Sequence, residues 1–566
     1  MEVGEILLNK GLLDARQLDL VREAQAGEGV RLDHVAVRMG LVSEEDALRA
    51  LGEKLGLDFV DLAHTPIHLE LVEQFPARII HRHAVFPLAR ENGTLVVATS
   101  DPFDLYALDE ASTATGLSVR PVLAVADEIA KLVKTHLGMG SETIDGLLAQ
   151  RQEQSDQIEV LDELELDGSE ASELAQEASV VRLVNEILIE AIEARASDIH
   201  IEAQATGMRI RYRVDGVLQA QPTPPEINHF QAAIVSRLKI MARLNIAEKR
   251  LPQDGRIKLK VRGREVDIRV SIIPMLHGEG IVMRVLDKER VSFSLLGIGM
   301  DEDIYRQFSH LIAQPHGIVL VTGPTGSGKT TTLYSALNEI KSEETKIITT
   351  EDPVEYQLDG INQIQVNSKI GLTFAASLRG ILRHDPDVVL VGEIRDLETA
   401  ENAVQASLTG HLVFSTLHTN DAAGAFMRLC DMGVEPFLVA STLEGVMAQR
   451  LVRTLCPECR EPLEPQPDEV PPDFPLDECR AQDAPVFRAR GCRECRGTGY
   501  RGRVGLYELL IANEEIRQLA NERSSSYLVK QAARRAGMHT LRQNGWRKVL
   551  AGRTTVEEVI RVAKAD

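Results

Sequence analysis

Hydrophobic and polar positions change rhythm along this chain, and the changes mark out its elements. Up to about residue 57 the apolar positions fall in two similar blocks: Gly11-Leu12-Leu13-Asp14 closes one motif and Gly40-Leu41-Val42-Ser43 the other, an offset of 40 minus 11, or 29 residues. In each block a glycine ends one helix and Asp14 or Ser43 caps the next, and Ser43 with Asp46 fits a capping box. Two helical hairpins are therefore predicted. Residues 58–137 alternate strands and helices, with 93–99 the clearest strand. Spacing over 180–194 predicts an amphipathic helix, followed by strands over 197–202 and 208–216. Alternation in the second strand puts Arg209, Arg211 and Arg213 on one face. Three apolar, β-branched runs, 317–321, 346–350 and 387–391, read as buried strands.

Charge interrupts this pattern once. Residues 153–177 hold ten acids and no Lys or Arg, which reads as a solvated linker. The 566 residues leave room for roughly three or four domains, and 44% hydrophobic content supports real cores. Net charge is 63 minus 85, or −22, with a single Trp and no basic cluster, so nucleic acid is not expected as a partner. No apolar run approaches the roughly 18 residues of a membrane span, and Met1-Glu2-Val3-Gly4-Glu5 does not start a signal peptide. The expected location is cytoplasmic, with membrane attachment through partners.

The first candidate chemistry follows the 317–321 run. Gly323-Pro324-Thr325-Gly326-Ser327-Gly328-Lys329-Thr330 fits a phosphate-binding loop, and Thr331 continues into a helix. Glycines there let backbone N–H groups close around phosphate oxygens at the positive end of the helix. Lys329 can reach the terminal phosphates and Thr330 can hold Mg²⁺. A merely tight glycine turn would not need Gly-Lys-Thr at a helix start. The other two runs end in acids: Glu355, thrown forward by Pro353, and Glu393. Ligands of open α/β sheets sit at the carboxyl ends of strands, which sends Lys329, Glu355 and Glu393 to one place. Gly392 stands where many phosphate-loop ATPases keep a metal-linked aspartate, so Glu393 itself is the expected Mg²⁺ partner. Either acid alone could be a solvated strand end; the set argues for a site.

Four of the six cysteines form a second candidate site, Cys456-Pro457-Glu458-Cys459 and Cys492-Arg493-Glu494-Cys495. Two such knuckles supply the four thiolates that Zn²⁺ prefers. Disulfides are the competing account, and they fit poorly with an ATP-consuming chain lacking a secretory signal. Cys430 and Cys479 are left as spare thiols.

With these motifs in place, the chain resembles the secretion-type ATPases of type II secretion and type IV pilus assembly. The resemblance rests on the phosphate loop, on Thr350-Glu351-Asp352-Pro353-Val354-Glu355-Tyr356, on Gly392-Glu393-Ile394-Arg395-Asp396 and on the segment from Thr409 to Asp421 that contains His411 and His418; the segment Tyr500 to Leu510 and the C-terminal helix around Trp546 extend it. It implies an α/β fold: a RecA-like motor over 291–566 with a zinc element at 456–495, preceded by an α+β domain at 178–290, an acidic flexible linker at 141–177 and an N-terminal docking module at 1–140. It also implies that Glu355 activates water, that His411 and His418 sense the γ-phosphate or link subunits, and that Arg213, Arg269 and Arg284 bring charge to the nucleotide. The expected assembly is a homohexamer working with an inner-membrane platform protein and a cytoplasmic docking protein. Cyclic di-GMP at the N-terminal repeat is a further implication, although Val3, Asp33 and Lys54 depart from the binding pattern and plain helix packing explains the repeat equally well. The function implied is ATP-driven pseudopilus assembly for type II secretion. The alternatives are type IV pilus extension, a DNA-translocating ring motor, for which a basic track is missing, and a scaffold that binds nucleotide without turnover.

Overall fold

The computed structural model describes residues 3–28, 31–62, 65, 71–72, 75–76, 79–80, 83–91, 93–137, 158–160, 178–287, 293–481 and 486–565. The chain divides into two compact units, Met1–Val285 and Leu286–Asp566, five residues before the expected boundary at 290/291.

The first unit opens with the helices Val3–Asn9, Ala15–Glu28, Leu32–Arg38 and Glu44–Leu55, the two hairpins read from the repeat. Gly11 and Gly40 end their turns at φ 69° and 67°, where a side chain would be strained. The reciprocal capping box stands at Asp14, whose carboxylate accepts from the Gln17 N–H at 2.7 Å while Gln17 Oε1 accepts from the Asp14 N–H at 2.8 Å. At the second hairpin Ser43 Oγ accepts from the Asp46 N–H at 3.1 Å, but its own proton goes to the Asp46 carboxylate at 2.6 Å, so that box is only half formed. Strands β1 (Val85–Glu91), β2 (Thr94–Thr99) and β3 (Ser118–Leu123) follow in that order in one sheet, with β2 and β3 parallel.

A second sheet in this unit contains β4 (Ile158–Val160), β5 (Ala196–Gln204), β6 (Gly207–Val214), β7 (Val217–Ala220), β8 (Gln253–Val261), β9 (Arg264–Met275) and β10 (Gly278–Asp287), in the order β4-β8-β9-β10-β5-β6-β7. Residues of the helices Ala178–Glu193 and Gln231–Met241 share its core with Ile199, Ile210, Tyr212 and Ile268. Strand β4 corrects the linker expectation: Ile158, Glu159 and Val160 pair antiparallel with Val261, Lys260 and Leu259, inside the stretch read as solvated. The reason is local: an apolar-polar-apolar triplet suffices for an edge strand, and counting acids hides it. The remainder of 141–177 lies outside the described residues.

The second unit is built on a seven-strand sheet, order β13-β12-β14-β15-β11-β16-β19. Its members are β11 (Gly317–Thr322), β12 (Ile347–Glu351), β13 (Asn362–Gln365), β14 (Val388–Val391), β15 (Leu412–Leu417), β16 (Leu443–Leu455) and β19 (Tyr500–Ile511). All neighbours pair in parallel except β16 with β19. Buried side chains cover both faces, with Val319, Leu337, Phe308 and Phe414 in one core and Leu320, Val413, Phe426 and Val446 in another. This is why the parallel strands read as continuous apolar runs. The hairpin of β17 (Arg460–Leu463) and β18 (Val486–Ala489) forms a separate small sheet. Among the described residues no helix is long and apolar enough to cross a membrane.

Asn544 shows how the C-terminal helices are fastened to this sheet. It is fully buried, accepts from the Tyr507 N–H at 3.1 Å and donates to Asp301 at 2.7 Å. Asn544→Ala leaves the buried Tyr507 N–H without this partner, at a cost of about 1–3 kcal/mol. The expected outcome is a thermal midpoint lower by several degrees; an unchanged midpoint in a melting experiment would show that the C-terminal helices do not depend on this contact.

Candidate functional site

The site begins where β11 leaves the sheet. All six residues of β11 are buried, and the chain then turns through Gly323 (φ 150°), Gly326 (φ 79°) and Gly328 (φ 88°) into the helix Lys329–Ile340. Space as well as conformation demands glycine at the first position: a Cβ on Gly323 would stand 2.5 Å from the Gln449 carbonyl oxygen. Pro324, Thr325 and Gly326 are exposed at the rim, with Thr330 exposed and Thr331 half-buried in the first helical turn. Lys329 Nζ donates to the carbonyls of Gly323 at 2.7 Å and Pro324 at 3.2 Å. Burial lowers its pKa, the charge of Glu393 opposes that, and Arg450 adds to it. Ser327 Oγ is buried with no hydrogen-bond partner, a polar atom left for an incoming ligand. An ammonium held by its own loop, an unused hydroxyl and a helix N-terminus fit a bound polyphosphate.

Parallel pairing of β14 with β12 and β15 sets the acids beside this loop. Glu393 stands two residues past β14, bonded to Arg395 and 3.4 Å from His418 Nε2. Burial pushes its pKa up, but Arg395 and His418 outweigh this and hold it below the ordinary range, so it stays a carboxylate. Adjacent parallel strands β14, β15 and β11 end side by side, so Glu393, His418 and Lys329, which follow them, lie along one edge of the sheet. Glu355 follows β12, and its backbone reaches the hydroxyl of Tyr334 on the phosphate-loop helix.

His411 and His418 bracket β15, as their spacing in the sequence suggests. The His411 carbonyl accepts from the Gly317 N–H at 3.2 Å, and its Nδ1 lies 2.9 Å from the Ala406 carbonyl. The six residues of β15 separate it from His418, a rise of roughly 20 Å. The two histidines therefore occupy opposite ends of one strand, and His411 cannot touch a phosphate at the loop of its own chain.

In the sequence Arg450 went unread, and Glu351 stood only within a motif, without a role. Arg450 on β16 donates to the carbonyls of Gln449 and Asn420, each at 3.0 Å, and its guanidinium stands 3.1 Å from where a Gly323 Cβ would be. Glu351 ends β12 buried, with Thr349 Oγ1 donating to it at 2.5 Å and Gln363 Nε2 at 3.1 Å. Glu351 could have been found from its place at the carboxyl end of β12, whereas Arg450, within β16, carried no such signal.

The first unit holds the three arginines taken from the resemblance. Arg284 lies 3.2 Å and Arg213 3.7 Å from the carboxylate of Asp198, which brings those two together; Arg269 sits on β9 opposite Arg256. At the N-terminal repeat, Val3 is buried in the helical core and Asp33 takes an ion pair from Arg31 at 2.5 Å, so both departing positions serve packing.

The cysteine knuckles meet because β16 runs straight into Cys456, while Cys495 lies just before β19. Antiparallel register sets Leu455 opposite Tyr500, and the β17–β18 hairpin closes the long gap between Cys459 and Cys492. The sulfurs Cys456–Cys492, Cys459–Cys495 and Cys492–Cys495 are 3.9, 3.8 and 3.8 Å apart, and all four lie within 4.8 Å of one another. Tetrahedral zinc with Zn–S bonds near 2.3 Å needs sulfurs about 3.8 Å apart, so the cluster fits that ion. Burial raises the Cys495 pKa, but N–H groups of Cys492 and Gly499 directed at its sulfur outweigh this and lower it, favouring the thiolate.

Comparison with known proteins places this geometry in company. The family model described as "Type II/IV secretion system protein" matches residues 173–561, and the MshEN domain model matches 55–143, the α/β part of the N-terminal region rather than most of the helical repeat. A type II secretion system protein E from Xanthomonas campestris pv. campestris is 45% identical, covering 99% of this chain and 98% of its own. The type IV pilus assembly ATPase PilB of Myxococcus xanthus is 42% identical over 99% and 98%. The solved ATPase DotB of Legionella pneumophila is similar in fold, with a TM-score of 0.50 at 24% identity over 67% of this chain and 95% of its own.

Two outcomes follow from the packing at these sites. Gly323→Ala is expected to abolish binding of a fluorescent ATP analogue, because its Cβ meets backbone that cannot move aside; retained affinity would mean that the loop adopts another course. Metal analysis of the purified protein is expected to find one zinc per chain, and Cys456→Ser to lose it and melt earlier, whereas no zinc, or unchanged zinc content and melting in the variant, would remove the ion from the structure.

Proposed function

The chain belongs to the type II/IV secretion system protein family, and from that premise we propose that it hydrolyses ATP to power assembly of a pseudopilus for type II secretion. The observation that carries the reading is the gathering of Lys329, Ser327, Glu393 and His418 at the carboxyl edge of one parallel sheet, in a chain alike along its whole length to a type II secretion protein E. The near-equal likeness to PilB keeps type IV pilus extension as the second reading.

In the proposed reaction, backbone N–H groups from Gly323 to Thr330 and Lys329 hold the ATP phosphates. Thr330 and Glu393 would hold Mg²⁺, which supplies neutralisation of phosphate charge when bound. Glu355 takes the proton of the attacking water. His418, resting on Glu393, is placed to respond to the γ-phosphate. For Arg213, Arg269 and Arg284 we propose charge neutralisation in the transition state; Arg213 and Arg284 would have to exchange Asp198 for phosphate. Residues 141–177 act as linker apart from β4, and residues 1–140 dock a cytoplasmic partner. A homohexamer bearing on an inner-membrane platform protein completes the proposal, with the protein cytoplasmic and attached through those partners.

Lys329→Ala is expected to lose ATP binding, since the ammonium serves ground and transition states alike, while Glu355→Gln and Glu393→Gln bind normally and hydrolyse slowly. Steady-state phosphate release decides this, and wild-type turnover in both glutamine variants would overturn the roles. In cells, deletion of the gene is expected to stop export of secreted enzymes while twitching and pili persist; the reverse outcome would establish the pilus reading.

A further inference from the structure

Tyr334 lies in the second turn of the helix whose first turn forms the phosphate site, with its ring fully buried. Its hydroxyl donates to the Glu351 carboxylate and lies near the backbone N–H groups of Glu355 and Tyr356. The hydroxyl thus ties the phosphate-loop helix to the start of the turn that carries Glu355. Gln363 closes the same turn from the other side, its Nε2 donating to Glu351 at 3.1 Å and to the Tyr356 carbonyl at 3.0 Å. The ring adds to the hold: Tyr334 and Tyr356 meet edge to face at 6.5 Å, and Phe293 packs on them at 5.5 and 5.8 Å.

A buried tyrosine in a helix is ordinarily there to fill space, and the ring alone would serve that purpose. The hydroxyl is different, because its partners all belong to the Glu351–Tyr356 segment. We propose that Tyr334 is a positioning residue for ATP hydrolysis: its hydroxyl fixes the turn bearing Glu355 to the helix that receives the phosphates, and so sets where that carboxylate stands. The inference rests on Glu355 being the base. Phosphates enter at the N-terminus of this same helix, so any displacement of it on nucleotide binding is passed to the turn bearing Glu355 through the Tyr334–Glu351 hydrogen bond. ATP affinity does not depend on the link; turnover does.

The test uses full-length protein with Mg-ATP and compares Tyr334→Phe, Gln363→Ala, Glu355→Gln and the combination of Tyr334→Phe with Glu355→Gln. Losing one well-aligned tie at a reacting group corresponds to roughly a tenfold fall in kcat. Tyr334→Phe is expected to show that fall with KM and ATP affinity within about twofold of wild type. The combined variant is expected to be no slower than Glu355→Gln alone, because the hydroxyl acts through that carboxylate. A purely structural hydroxyl would instead slow the combination further or weaken ATP binding in step with turnover, and either result overturns the inference, as does wild-type turnover in Tyr334→Phe. Should Tyr334→Phe not fold, Gln363→Ala on the edge strand β13 carries the same expectation and the same refutation. Wild-type turnover in Glu355→Gln would overturn the base assignment instead, which separates the two failures.

Discussion

Parallel registration of β11 between β15 and β16 is the constraint on which the second unit depends. Thr322 lies level with Leu417 on one side and Ala448 on the other, so the chain leaves β11 at Gly323 against the backbone of β16. Contact there leaves no room for a side chain, and the loop must turn over the sheet edge toward the helix Lys329–Ile340. The same alignment brings the ends of β12 and β14 alongside, and with them Glu355 and Glu393. Slipping any of these strands by one residue would reverse its inward and outward faces. A buried sheet cannot tolerate that, so core packing and site geometry are one requirement.

Strand β16 joins the two candidate sites. Its Gln449 and Arg450 back the phosphate loop, and five residues beyond Arg450 the strand ends at Leu455 and enters the first cysteine knuckle. Its partner β19 emerges from the second knuckle. Four thiolates around one ion would therefore clamp the far ends of both strands, while Glu508 on β19 binds the N–H groups of Ala422 and Leu541 at 2.8 and 3.2 Å within the core. A metal at this place would steady the strand that backs the loop at Gly323 without touching it.

What could be read in the sequence was whatever chemistry needs contiguous residues. The phosphate loop and the cysteine knuckles announce themselves because the glycines, the lysine and the paired thiols fall within a few residues of one another. The helical repeat was legible for the same reason, its glycine ends and its caps being local. Partners from distant segments were not legible: the Asp198 carboxylate that gathers Arg213 and Arg284, the burial of Glu351 beneath Tyr334, and Arg450 beside Gly323 all arise from tertiary contact. His411 illustrates the difference in one strand. The resemblance implied a common role for it and His418, yet the strand between them sets the two at opposite ends. The acidic stretch failed in the opposite sense, since its overall charge concealed a three-residue strand at 158–160.

The proposed function requires that the loop at Gly323–Thr330 receive the ATP phosphates with Glu393 beside them. A structure of the protein with Mg²⁺ and a non-hydrolysable ATP analogue tests this most directly. The expected result is Lys329 Nζ released from the carbonyls of Gly323 and Pro324 and bonded to the terminal phosphates, Ser327 Oγ within hydrogen-bonding reach of a phosphate oxygen, and Glu393 facing the metal. A triphosphate bound elsewhere, or a Lys329 still bonded to its own loop with the analogue in place, would contradict it.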